Sequence, residues 1–198
     1  LTSQEYRNAC WKMINKISAL LSEEIKLRLN SSDNEKEIYA YSIEVLISLF
    51  INLVILSFTA YILKKQAELI IFILFFSVLR SYAGGYHAKT HIECMVLSFC
   101  IFMISALSST YLAEYGEIIL ISGILLSVTM VFFLAPAESE NKPLSKKQRA
   151  KYKKISRIIV ILLSVSAVCL YFIRDAAGYV YITAAVAMSV ESVSLLKH

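Results

Sequence analysis

VLISLFINLVILSFTAYIL fills residues 45–63 and contains no charged side chain. As a helix rising ~1.5 Å per residue it would be roughly 28 Å long, close to the thickness of a bilayer's hydrocarbon core. A helix satisfies its own backbone polar groups, so it can cross a medium that offers them no partners. Comparable charge-free runs recur at 94–113, 118–137, 158–173 and 176–190. The whole chain follows suit. Of its 198 residues 58% are hydrophobic and 18% charged, with a mean hydropathy of +0.63, whereas soluble domains average about 45–50% apolar and about 25% charged. A β-barrel would show short alternating segments, and these are absent. With Gly at 5 and Pro at 2, breakers are few and long helices are expected. The expected fold is therefore all-α: a polytopic membrane protein with about six transmembrane or re-entrant helices, at about 38–63, 67–83, 92–113, 117–135, 155–173 and 177–196, preceded by an N-terminal amphipathic helix.

The first 30 residues place Cys10, Ile14, Ile17 and Leu21 at helical spacing, with Lys12, Lys16, Glu23, Glu24 and Lys26 between them. Such a helix can lie in the headgroup region, anchored by Trp11, or pack on the rest of the protein. Its lysines and glutamates interrupt the first apolar run, so no secretory signal is expected. NSSDNEKE then reads as a polar linker. This divides the chain into an N-terminal helix and linker, 1–37, and a transmembrane domain, 38–198, carrying a basic loop at 136–157. Basic residues set orientation. If the N-terminus is cytoplasmic, all of the 20 Lys and Arg residues except Lys64, Lys65 and Arg174 fall on the cytoplasmic side, so both termini are expected inside. The four cysteines, Cys10, Cys94, Cys100 and Cys169, show no CxxC spacing, and no disulfide framework is expected.

Between two oily runs lies RSYAGGYHAKTHIEC, residues 80–94. Polar groups are costly near a membrane and mark function there. His87 and Cys94 can act as base and nucleophile: the imidazole takes the thiol proton, the thiolate attacks a carbonyl carbon, and the imidazolium protonates a leaving amine. Spacing constrains this chemistry. On one straight helix the two groups would stand about 10.5 Å apart along the axis, whereas proton transfer needs roughly 3 Å. The chain must bend between them, and Gly84 and Gly85 supply the freedom. Glycine N–H groups or Arg80 can stabilise an oxyanion, and Arg80 can also grip a carboxylate. The second span fits the same picture, because only 69–79 is charge-free and a broken or re-entrant segment is expected there. Glu44, the only charge between Ile38 and Leu63, calls for a partner such as Arg80 or His87, unless it sits solvated at headgroup level. Two other readings stay open. Glu44, Arg80 and His87 could line the path of a small transporter or peptide exporter. His87, His91 and Cys94, at i, i+4 and i+7, could hold zinc if a fourth ligand joined them.

RSYAGGYHAKTHIEC resembles the AgrB family of membrane endopeptidases, which process quorum-sensing peptide precursors. It matches that family's arginine, paired glycines, His-Ala and a Cys seven residues after the His. APAESENKPL resembles the Ala-Pro start and Lys-Pro element of the family's basic loop, and the likeness extends over nearly the whole chain. The resemblance implies a cysteine endopeptidase with His87 and Cys94 as the catalytic pair. Arg80, Gly84, Gly85 and Lys142 match other positions that matter in the family, and Glu44 is a further candidate for substrate or transition-state support. The implied substrate is an AgrD-like precursor, which loses its acidic C-terminal tail through a thioester and closes to a thiolactone or lactone. A homodimer in contact with membrane lipids is implied; no cofactor, metal or nucleic-acid partner is expected. The family pattern assigns no role to His91.

Overall fold

The computed structural model describes residues 3–29, 32–85, 90–137 and 145–197, all but a few turn and cap residues of which are helical, with no strand among them. The chain divides into two compact units, residues 1–55 and 56–198.

The first unit holds α1 (Ser3–Leu29) and most of α2 (Asp33–Leu63). The stretch read as linker is shorter than expected, because Asp33–Glu37 are already helical. The reason is a capping box: the Glu35 N–H donates to Ser32 Oγ at 3.4 Å while the Ser32 N–H donates to Glu35 Oε2 at 2.8 Å. Ion pairs Lys26–Asp33 and Glu23–Lys36, followed by a hydrogen bond from Ser18 Oγ to Glu44 Oε1 at 3.1 Å, run the two helices antiparallel. Lys36 donates to Glu23 and, with its charge, holds that carboxyl below the usual range. Ile14, Ser18 and Ser22 are covered, while Ile17, Leu20 and Leu21 are exposed.

In the second unit the end of α2 contributes Leu56 and Ala60 to the core. The next span is one continuous helical run, Gln66–Ala83, rather than a broken one. It comprises α3 (Gln66–Phe72), a π-helical turn (Ile73–Ser77) and α4 (Val78–Ala83). Two charges at its start are neutralised locally, which lengthens it beyond the charge-free 69–79. Lys65 pairs with Glu68 and donates to Ser109 Oγ at 3.0 Å, and Ser109 Oγ donates to Glu68 Oε1 at 3.2 Å.

α5 (His91–Tyr111), α6 (Gly116–Leu134) and α7 (Lys146–Phe172) follow. α7 starts earlier than the expected 155 because Ser145 and Gln148 form a second capping box. Its first turns carry Lys146, Lys147, Arg149, Lys151, Lys153 and Lys154. A short α8 (Arg174–Ala177) leads into α9 (Val180–Ser194). Among the described residues five helices are long and apolar enough to cross a membrane, and α9 is a shorter apolar sixth. The chain is a multi-pass membrane protein. Its large apolar side chains point outward in numbers that water would not tolerate, Phe50, Phe58, Phe133 and Phe172 among them.

α9 is the hub. It packs on α3, α5, α6 and α7, and Tyr181, Ile182, Ala184, Ala185, Ala187 and Met188 are all buried. Between membrane helices, where apolar burial drives nothing, small residues win by letting backbones approach. The alanines of α9 serve this purpose.

Candidate active site

α4 ends where Ala83 gives way to Gly84 and Gly85, at φ 77° and 147°. Both values lie in the region that favours glycine. The last carbonyls of a helix need partners from outside it. Here the Tyr82 carbonyl accepts from Ser156 Oγ at 2.7 Å, and the Ala83 carbonyl accepts from the Ala137 N–H at 2.9 Å. Ala137 follows the cis Ala135–Pro136 bond, so the two stretches singled out in sequence, RSYAGG and APA, meet in space. Contact there is close enough to exclude a side chain. A Cβ on Gly84 would stand 2.4 Å from the Ala137 carbonyl oxygen. Gly84→Ala combines that overlap with a disfavoured φ, and is expected to cost about 1–3 kcal/mol, seen as a lower melting temperature in detergent together with slower turnover.

Beneath the glycines lies a charge pair. Arg80 Nη1 donates to Glu191 Oε2 at 3.1 Å, and the guanidinium stands 5.6 Å from the centroid of the Phe76 ring. The Glu191 side chain is 1% exposed and that of Arg80 21%. A Cβ on Gly85 would fall 2.5 Å from both Glu191 Oε1 and Ser194 Oγ, and 3.5 Å from Arg80 Nη1. The carboxylate that pairs with Arg80 is thus Glu191, not Glu44, whose bond to Ser18 lies within the first unit. Glu191 was not singled out from sequence. The criterion that marked Glu44, a lone carboxylate inside an apolar span, would have found it.

Cys94 sits in the first turn of α5 as an exposed free thiol. Thr90 caps that turn: its Oγ1 accepts from the Glu93 N–H at 3.2 Å, and its carbonyl accepts from the Cys94 N–H at 3.1 Å. Thr90 itself is extended, at φ −129° and ψ 150°, so the helix bearing Cys94 does not run back through it. Open N–H groups at a helix start favour negative charge. Thr90→Ala should cost about 1 kcal/mol and loosen the turn under the thiol, read as faster amide exchange at Glu93 and Cys94. His87 and Lys142 lie outside the described residues, as does the His91 side chain.

The chain matches the profile of accessory gene regulator B over residues 14–195. It belongs to the AgrB family. A putative AgrB-like protein of Clostridium perfringens is 29% identical over 172 residues, covering 81% of this chain and 79% of that protein. One from Clostridium acetobutylicum is 34% identical over 148 residues, covering 72% and 70%. The accessory gene regulator protein B of Staphylococcus intermedius is 29% identical over 136 residues, covering 68% and 62%. No solved structure matches the chain. Membership in the AgrB family implies involvement in agr quorum-sensing peptide processing.

Proposed function

We propose that this chain is a membrane-embedded cysteine endopeptidase that removes the C-terminal tail of an AgrD-like precursor and promotes closure of its ring. One observation supports this reading most directly: an exposed, free thiol at the capped start of α5, on a helix that stops at Thr90 instead of continuing to position 87.

His87 takes the proton from Cys94 Sγ, and the thiolate attacks the carbonyl carbon preceding the tail. Arg80 or a glycine N–H stabilises the oxyanion. His87 returns the proton to the leaving amine, the tail departs, and a thioester remains. The precursor's own thiol or hydroxyl then attacks the acyl carbon, its proton passing to His87, and Cys94 leaves as thiolate. A tethered nucleophile in a site that excludes water outcompetes hydrolysis. The new thiolactone lies uphill of the peptide bond, so departure of tail and ring must draw the reaction forward by mass action.

Lys142 and the basic loop attract the acidic tail, and Glu44 supports the bound leader. α1 meets lipid headgroups. Both termini face the cytoplasm, as the basic residues require, and two copies associate as a homodimer. The test is to incubate proteoliposomes with a precursor and weigh the products. Appearance of free tail with loss of one water from the core peptide is the expected result; an intact precursor would overturn the reading.

A further inference from the structure

Among the described residues Glu191 is the one buried charged side chain. It lies on α9, 111 positions from the arginine it meets, and the mechanism above makes no use of it. A carboxylate away from water is costly even when paired, and apolar replacements of a buried pair are often as stable. Stability alone is thus a poor account of its presence. Its geometry offers a better one, because one oxygen takes a hydrogen bond from Arg80 and the other lies under Gly85, both in the segment that leads to Cys94. Oε2 accepts from Arg80 at 3.1 Å. Oε1 and Ser194 Oγ form the floor under Gly85, each 2.5 Å from the place a Cβ would take. Of the pair, Arg80 is the more exposed side chain, 21% against 1%.

We infer that Glu191 is a positioning residue for acyl transfer: from below it fixes the orientation of the Arg80 guanidinium and, with Ser194, the seat of the Gly85 backbone. It thereby sets the direction in which the chain leaves α4. The hydrogen bond to Glu191 and the Phe76 ring 5.6 Å from the guanidinium together restrict how it can turn, which a compact lysine ammonium would not allow. Glycine at 85 follows from the same contact. This inference rests on the cysteine-peptidase reading.

The test uses the full chain in proteoliposomes with Glu191→Gln, which keeps the shape and removes the charge, and Glu191→Asp, which keeps the charge and shortens the reach. Per folded molecule, kcat of the Gln variant should fall about 10–100-fold, as a misplaced catalytic group does, with KM within about twofold and partial recovery in the Asp variant. A purely structural residue would reduce the amount of folded protein and leave kcat per folded molecule unchanged, and that result would overturn the proposal. If the Gln variant does not accumulate in the membrane, the Asp variant carries the same kcat criterion.

A second readout needs no precursor. Alkylation of Cys94, resolved from Cys10, Cys100 and Cys169 by peptide mass spectrometry, should be about tenfold faster with His87 than in His87→Ala, because the imidazole takes up the thiol proton. In Glu191→Gln that advantage should vanish. If wild type shows the advantage and the Gln variant keeps it, the positioning role fails while the peptidase reading stands. If wild type lacks it, the His87–Cys94 pair fails and the positioning role falls with it.

Discussion

Replacing Cys94 with Ala is expected to abolish release of the precursor's tail, a loss of at least about 10⁴-fold, since removing a nucleophile removes the covalent route entirely. The protein should still insert and fold. Cys94 is exposed at the edge of the bundle, and its side chain contributes nothing to the core. Its backbone N–H bonds to Thr90, which Ala preserves. Cys94→Ser keeps the geometry but supplies a hydroxyl that ionises far less readily, so it should be almost as inactive. The measurement is the mass of free tail over time, beside a control for membrane insertion. Wild-type turnover by the Ala variant would end the cysteine mechanism. Thiol-independent peptide flux across the bilayer would favour the transporter reading.

The second large effect concerns Arg80. Arg80→Met leaves Glu191 buried and unpaired, and breaking a buried pair from one side costs about 3–5 kcal/mol. Replacing both partners, Arg80→Met with Glu191→Met, removes the stranded charge and should recover most of that loss. Activity should not return with stability, because neither the guanidinium nor the carboxylate that orients it is present. Thermal unfolding in detergent and tail release, measured on the same three proteins, separate the two quantities. Equal stability of the single and double variants would mean that the pair is not buried as described. Full activity in the double variant would remove Arg80 from the chemistry.

The spans were legible because lipid imposes a coarse rule, and charge-free runs such as 45–63 and 118–137 obey it. What escaped were places where polar side chains satisfy one another. Lys65, Glu68 and Ser109 close a local network, so α3 begins before the apolar run does. Ser32 and Glu35 turn a polar stretch into a helix start. The face that α1 covers was likewise left open by the sequence. In a protein surrounded by lipid Leu20 and Leu21 can face outward while Ser18 reaches a carboxylate. At the candidate site, Arg80, Gly84 and Gly85 stood out as residue types that are costly or unusual where they lie. Glu191 did not, because the charge-free window 176–190 stopped one residue short of it. No local pattern links positions 80 and 191; only the packing of α9 does.

The separation of that pair in sequence also affects how the protein is made. At about 5–20 residues per second, the ribosome needs roughly 5–20 s to travel from Arg80 to Glu191, 111 codons later. Throughout that interval the arginine has no counter-charge from α9. The contact between Arg80 and Glu191 can therefore form only once α9 has emerged, which makes it a late step in assembly of the site.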